Sequence, residues 1–147
     1  AGAIRNIVVL GATGSIGDST FRVLENLGPA FRVLAMSGGD QLEKLALLAE
    51  KWEPLYLCTG RVDRMAELVG SAESVLGGED GLEVLATLPE ADLVVNGLVG
   101  AVGLRPTLAA LQAGKIVAMA NKEPLVIAGG LLLEAARSGG GKNYPAR

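Results

Sequence analysis

Histidine is absent from the 147-residue chain, and cysteine occurs only once, at Cys58. Without an imidazole, the chain contains neither a histidine acid–base catalyst nor a histidine metal ligand. A single cysteine excludes an internal disulfide. Because Cys58 lies in the apolar run PLYLC, we expect a buried, reduced thiol of the kind found in cytoplasmic proteins.

Aromatic residues are also scarce, at 3% of a chain that is 50% hydrophobic. The core is therefore expected to consist of Val, Leu, Ala and Ile, as in parallel sheets covered by helices. The net charge is −3, and the basic residues are scattered, which argues against nucleic acid or an anionic membrane as a partner. No run reaches the roughly 18–20 apolar residues of a membrane span. We therefore expect a cytoplasmic protein.

What the sequence does contain is an alternation of strand-like runs and amphipathic helical patterns. The predicted strands are 3–10, 31–36, 54–58, 92–100 with its glycine loop, and 115–120, and the predicted helices are 15–28, 41–52, 61–70, 81–91, 104–114 and 125–138. This alternation predicts the α/β class: a doubly wound, Rossmann-like, mostly parallel sheet with helices on both faces, in three layers. The right-handed crossover rule favours the strand order 3-2-1-4-5.

The strongest motif is VVLGATGSIGDST, residues 8–20, which joins the first strand to the first helix. Gly14 and Gly17 match the last two glycines of the fingerprint G-x-G-x-x-G, while Ala12 stands at the first, with Gly11 directly before it. Such a loop brings a pyrophosphate to the free N–H groups of a helix N-terminus. The alternative is a purely structural tight turn.

The turn SGGD, residues 37–40, follows the second strand, where folds of this kind contact the adenosine ribose. Ser37 and the amides of Gly38 and Gly39 are suited to a phosphate. Asp40 has two interpretations. It accepts hydrogen bonds from the ribose hydroxyls of NAD and repels the 2′-phosphate of NADP, or it is the N-cap of the helix that begins at Gln41.

Two further loops follow the fourth and fifth predicted strands. NGLVGAVG, residues 96–103, would lie across the crevice from the first glycine loop, although its glycines also suit a simple short loop. ANKEP, residues 120–124, combines an amide, a cation and a carboxylate. A helix N-terminus accounts for Glu123 and Pro124. Lys122 is left for pairing with a phosphate or polarising a carbonyl.

Together, LGATGSIGDST, FRVLAMSGG, VVNGLVGAVGLRPTLAALQAGK and ANKEPLVIAGGLLLEAA closely resemble the N-terminal domain of the 1-deoxy-D-xylulose 5-phosphate reductoisomerases, from residue 7 to residue 138. The resemblance implies a homodimeric enzyme that uses NADPH and Mg²⁺ or Mn²⁺. Its expected reaction rearranges and reduces 1-deoxy-D-xylulose 5-phosphate, a phosphosugar, to 2-C-methyl-D-erythritol 4-phosphate in non-mevalonate isoprenoid synthesis. It also implies a dinucleotide-binding domain over 1–138, followed by a linker or disordered tail at 139–147.

The resemblance also implies roles for individual residues. The cofactor contacts carried over are Thr13, Gly14, Ser15 and Ile16 along the pyrophosphate, Gly38 and Gly39 at the adenosine ribose, Gly97 and Leu98 near the nicotinamide, and Asn121 and Glu123. Lys122 is the catalytic candidate, between cofactor and substrate.

Two departures from the family pattern matter. The family commonly has a basic or neutral polar residue where this chain has Asp40, so NADH is not excluded. The family's acidic metal motif would begin near Pro145, but the chain reads YPAR there. We therefore expect no metal ligands in this chain and no turnover by it alone. The alternatives are the cofactor domain of another reductase, such as a semialdehyde dehydrogenase, and a noncatalytic dinucleotide-binding module.

Overall fold

A computed structural model describes residues 5–120 and 125–128 of the protein, and alternation of strands and helices runs through this part of the chain. The elements are β1 (Asn6–Leu10), α1 (Ser15–Leu27), β2 (Arg32–Gly38), α2 (Leu42–Trp52), β3 (Tyr56–Thr59), a 3-10 helix (Val62–Leu68), β4 (Ser74–Gly77), α3 (Gly78–Ala86), β5 (Leu93–Asn96), a second 3-10 helix (Gly100–Gly103), α4 (Leu104–Gln112), β6 (Ile116–Ala120) and β7 (Leu125–Ala128).

The described strands form one sheet in the order β4-β3-β2-β1-β5-β6-β7. All neighbours pair in parallel except β6 and β7, which are antiparallel. The five predicted strands are β1, β2, β3, β5 and β6, so their predicted order 3-2-1-4-5 is confirmed. The structure adds β4, a run too short to be assigned from its pattern, and β7.

The predicted helix 125–138 is wrong at its start, because Leu125–Ala128 is strand β7. Its sequence LVIA is a short apolar run bounded by Pro124 and Gly129, and periodicity cannot separate a helix from a strand over four residues. Pairing with the edge of β6, from Val117↔Ala128 to Ala120↔Leu125, decides for the strand. Pro124 and residues 129–147, with the predicted tail, lie outside the described residues.

Two hydrophobic cores lie on opposite faces of the sheet, as the doubly wound class requires. One face packs Phe21 of α1 and Leu45 of α2 against Ile7 and Val9 of β1. The other packs Leu85 of α3 against Val8 and Leu10. The apolar run of β1 is therefore buried on both sides, which is why it lacks the alternating polar residues of a half-exposed strand. Within the described ranges, no helix is long and apolar enough to cross a membrane.

Candidate functional site

The order in which the chain adds strands to the sheet reverses at β1 and β5: β2, β3 and β4 extend it on one side of β1, and β6 extends it on the other side, beyond β5. The carboxyl ends of these strands lie side by side, because the N–H of Gly97 donates to the carbonyl of Leu10 at 2.8 Å. In doubly wound sheets, ligands bind in the crevice at this switch point. The glycine loops after β1 and β5 therefore meet at the place where a ligand is expected.

Two glycines let the chain pass close to its neighbours at the switch point. Gly11 has φ +73°, and a Cβ on it would lie 2.9 Å from the carbonyl carbon of Gly97. A Cβ on Gly17 would lie 2.0 Å from the carbonyl oxygen of Ala12. Gly11 therefore makes the tight approach that the first fingerprint glycine usually makes, although it stands one position earlier. Gly17 lets α1 pack against the loop.

The N-terminus of α1 offers free backbone donors at this edge. Its N-cap is Gly14, which has no side chain to cap the helix. Beyond this N-cap, the first N–H group with a backbone acceptor is that of Asp18, which donates to the carbonyl of Gly14. Among the described residues, the N–H groups of Ser15, Ile16 and Gly17 have no acceptor. Free N–H groups at a helix N-terminus are a ready site for an anion such as a phosphate.

A lysine of α2 reaches the same loop. Nζ of Lys44 donates to the carbonyl of Thr13 at 2.9 Å and lies 3.1 Å from a carboxylate oxygen of Asp18. The lysine therefore ties α2 to the start of α1 and adds a positive charge beside the free amides. No motif signals this contact, because it joins residues 31 positions apart.

The prediction that Ser37 faces a phosphate is wrong. The hydroxyl of Ser37 accepts a hydrogen bond from the N–H of Gly11 at 2.9 Å, and its carbonyl accepts from the N–H of Ala12 at 2.7 Å. The residue is only 1% exposed. It fastens the glycine loop to β2. The exposed Gly39 faces open space, because a Cβ on this residue would meet no atom within 4 Å.

The capping interpretation of Asp40 is also wrong. Helix α2 begins at Leu42, its N-cap is Gln41, and no side chain caps it. Asp40 contributes only its backbone carbonyl, which accepts from the N–H of Leu42 at 3.0 Å. Its carboxylate is exposed at the turn after β2. The interpretation that remains is an acidic group beside the adenosine ribose.

A buried amide shapes the loop after β5. Nδ2 of Asn96 donates to the carbonyl of Gly103 at 3.0 Å and to the hydroxyl of Thr107, and its Oδ1 accepts from the N–H of Leu98 at 3.0 Å. A Cβ on Gly97 would lie 3.0 Å from that of Ile16. The loop is therefore held against the first turn of α1. The sequence pattern singled out its glycines and missed this amide network.

The structure thus brings the predicted residues of three loops to one edge: Thr13, Gly14, Ser15, Ile16, Gly38, Gly39, Gly97 and Leu98. Thr13 is near Gly38, since a Cβ on that glycine would lie 3.2 Å from Cγ2 of the threonine. Asn121, Lys122 and Glu123 lie outside the described residues. Strand β6 ends at Ala120 and runs parallel to β5, so it delivers the chain to the same edge.

Two kinds of chemistry are not supported in the part of the chain that the structure describes. Those residues contain no cluster of three or more Cys, Asp or Glu side chains suited to a metal ion. The thiol of Cys58 is buried in β3, and burial raises its pKa to about 11. A thiol that ionises so reluctantly is no nucleophile at neutral pH, which argues against the thiol chemistry of a semialdehyde dehydrogenase.

A doubly wound sheet with glycine loops and free helix amides at its switch point defines a Rossmann-like α/β domain. The family model described as 1-deoxy-D-xylulose 5-phosphate reductoisomerase matches residues 7–129. The chain belongs to the 1-deoxy-D-xylulose 5-phosphate reductoisomerase family.

Individual relatives agree with this membership. The chain is 42% identical over 146 residues to the 1-deoxy-D-xylulose 5-phosphate reductoisomerase of Oleidesulfovibrio alaskensis, covering 96% of this chain and 36% of the relative. It is 43% identical to that of Pseudomonas putida, covering 97% and 38%. The chain therefore spans little more than a third of these relatives.

Solved structures are similar as well. The Zymomonas mobilis enzyme in complex with NADPH has a TM-score of 0.75 and 35% identity, covering 99% of this chain and 39% of that one. A reductoisomerase in complex with magnesium also has a TM-score of 0.75, with 38% identity, covering 95% and 36%.

Proposed function

We propose that this chain is the NADPH-binding part of a 1-deoxy-D-xylulose 5-phosphate reductoisomerase, with the dinucleotide-binding domain at 1–138 and a linker or disordered tail at 139–147. The observation that carries the proposal is the set of free N–H groups on Ser15, Ile16 and Gly17 at the sheet's switch point. The similar Zymomonas mobilis structure, in complex with NADPH, supports the choice of cofactor.

The described residues fit a dinucleotide in three places. The amides from Ser15 to Gly17 would bind the pyrophosphate, with Thr13 and Gly14 forming the loop that approaches it. The open space beside Gly39, next to Gly38, would receive the adenosine ribose. Gly97 and Leu98 would lie by the nicotinamide, because their loop packs on Ile16 across the switch point.

The reaction proposed for the whole protein is the rearrangement and reduction of 1-deoxy-D-xylulose 5-phosphate to 2-C-methyl-D-erythritol 4-phosphate. NADPH, when bound, supplies the hydride that reduces the rearranged aldehyde. Asn121 and Glu123 would contact the cofactor, and Lys122 would contact the substrate. The described residues offer no cluster of side chains that would hold Mg²⁺ or Mn²⁺. A homodimer in the cytoplasm is part of the proposal, and the buried free thiol of Cys58 supports the reducing compartment.

Titration with NADPH, followed by calorimetry and by nicotinamide fluorescence, tests the binding role. We expect saturable binding with one site per chain, and competition by 2′,5′-ADP, which carries two of the phosphate groups without the nicotinamide. Absence of binding at millimolar NADPH would contradict the proposal. A separate assay of the whole protein, following NADPH consumption that depends on both the phosphosugar and Mg²⁺ or Mn²⁺, tests the reaction.

A further inference from the structure

The turn after β2 presents a charge problem for the proposed cofactor. The 2′-phosphate that distinguishes NADPH from NADH belongs to the adenosine ribose, which the proposed function puts beside Gly38 and Gly39. The adjacent carboxylate of Asp40 is exposed and caps nothing, so it would repel this phosphate. A cation close to the same turn is needed if NADPH is to be preferred.

The end of β3 is fastened directly to this turn. The N–H of Gly60 donates to the carbonyl of Gly38 at 3.0 Å, and the hydroxyl of Thr59 donates to the carbonyl of Gly39 at 3.1 Å. The N–H of Arg61 in turn donates to the same hydroxyl at 3.0 Å. Three hydrogen bonds therefore fix the backbone of Arg61 relative to the turn.

The guanidinium of Arg61 has N–H donors without an acceptor among the described residues. Its Nε and Nη2 donate to the two carboxylate oxygens of Asp63 at 3.0 and 2.7 Å. Its Nη1 has no acceptor among the described residues, and the side chain is 39% exposed. An arginine has five N–H donors in a planar fork that suits phosphate oxygens. Arg61 can therefore keep its contact with Asp63 and still bind a phosphate.

The charge of Arg61 also interacts with a carboxylate of the turn. The hydrogen bond with Asp63 is the main cause that raises the pKa of this guanidinium, and the carboxylate of Asp40 adds to it electrostatically, while the neighbouring Arg64 opposes it. The guanidinium of Arg61 is thus close enough to the turn for its charge to interact with the carboxylate of Asp40. A guanidinium there offsets the negative charge of Asp40.

We propose that Arg61 binds the 2′-phosphate of NADPH and selects this cofactor over NADH, in place of a basic residue at position 40. This inference deepens the proposed function and rests on it. Lys44 is another cation near the loops, but its ammonium is held by the carbonyl of Thr13 and by Asp18 at the start of α1, which is the pyrophosphate end of the site.

The test compares Arg61→Gln with Arg64→Gln, a matched loss of one positive charge from the next basic residue along the chain, which pairs instead with Glu67 and Glu43. Dissociation constants are measured for NADPH, NADH, 2′,5′-ADP and 5′-AMP. We expect Arg61→Gln to weaken the binding of NADPH and of 2′,5′-ADP about tenfold, because a charge-assisted hydrogen bond is lost. NADH and 5′-AMP should change less than about twofold, and Arg64→Gln should leave the ratio of NADPH to NADH affinity unchanged.

Asp40→Asn provides the second arm, and it should strengthen NADPH binding because it removes a repelling carboxylate. Equal weakening of NADPH and NADH by Arg61→Gln, or no weakening of either, would overturn the role of Arg61 while leaving the proposed function in place. So would a wild-type preference for NADH that Asp40→Asn abolishes. Wild-type protein that binds neither coenzyme would instead contradict the proposed function itself. Because Arg61 is on the surface, unchanged thermal melting of Arg61→Gln should show that its fold is intact.

Discussion

The N–H of Gly11 donates a 2.9 Å hydrogen bond to the hydroxyl of Ser37, which joins the glycine loop after β1 to the end of β2. The same serine accepts a second bond at its carbonyl from Ala12. Two consecutive amides of the loop are therefore held by one buried residue. The loop takes its shape from β2 and leaves the later amides, from Ser15 to Gly17, free for a ligand.

Ser37→Ala should destabilise the protein and weaken its binding of NADPH. The substitution removes the acceptor of the Gly11 amide, and a part-buried donor without a partner costs about 1–3 kcal/mol. Urea denaturation measures the loss, and calorimetry measures the affinity. Ser19→Ala, at an exposed position of α1, is the control. Equal effects of the two substitutions would show that the Gly11 contact contributes nothing.

Gly17→Ala and Gly14→Ala should separate folding from ligand binding. A Cβ at residue 17 would lie 2.0 Å from the carbonyl oxygen of Ala12, whereas one at residue 14 would lie 3.7 Å from that of Gly11. We expect the first substitution to cost about 2–3 kcal/mol or more of folding free energy. The second should cost under about 1 kcal/mol while weakening NADPH binding, because residue 14 is exposed beside the free amides. Similar denaturation midpoints for both variants would contradict this.

Stability should fall between pH 9 and pH 11 because of Cys58. Burial raises the pKa of its thiol from 9.0 to about 11 in the folded protein. Above pH 9 the unfolded chain releases this proton while the folded chain retains it, so the free energy of unfolding decreases, by about 2 kcal/mol at pH 11. Denaturation of the wild type and of Cys58→Ala across this pH range measures the contribution of Cys58 to this loss of stability. Parallel pH profiles for the two proteins would argue against it.

Glu53→Gly should stabilise the protein. Glu53 is the C-cap of α2 and has φ +51°, in the left-handed region that a side chain disfavours. Glycine adopts this conformation without strain, and we expect a gain of about 0.5–1 kcal/mol. Glu50→Gly, at an exposed position within the same helix, is the control and should lose about 1 kcal/mol. A lower thermal midpoint for Glu53→Gly than for the wild type would contradict the prediction.

Much of the fold could be predicted because local pattern and tertiary structure agree. The apolar runs of β1, β2 and β5 are buried, and the glycine loop opens α1 as expected. Strand β7 could not be predicted. Four apolar residues carry no decisive period, and only their pairing with β6 makes them a strand.

The candidate site, too, could be predicted from the sequence only in part. The glycine spacing predicted free backbone donors at the start of α1, and the family resemblance supplied residues 13–16 as the cofactor contacts there. The directions of Ser37 and Asp40 could not, because a short polar side chain at a turn has several partners within reach and tertiary packing selects among them. Arg61 drew no attention in the sequence, since it lies 21 positions beyond Asp40 and meets the turn only through Thr59 and Gly60.

By itself, the sequence determined the α/β class and the glycine loop with its family resemblance, since both depend on local residue types and spacing. The central strand order followed from the right-handed crossover rule for parallel strands and was not visible in the pattern itself. Only the tertiary structure decided which groups at the loop are free and which are used. Hydrogen bonds between strands distant in sequence consume Ser37 at the Gly11 amide and bring the end of β3 against Gly38 and Gly39. No local pattern carries that information, because the partners meet only once the sheet has formed.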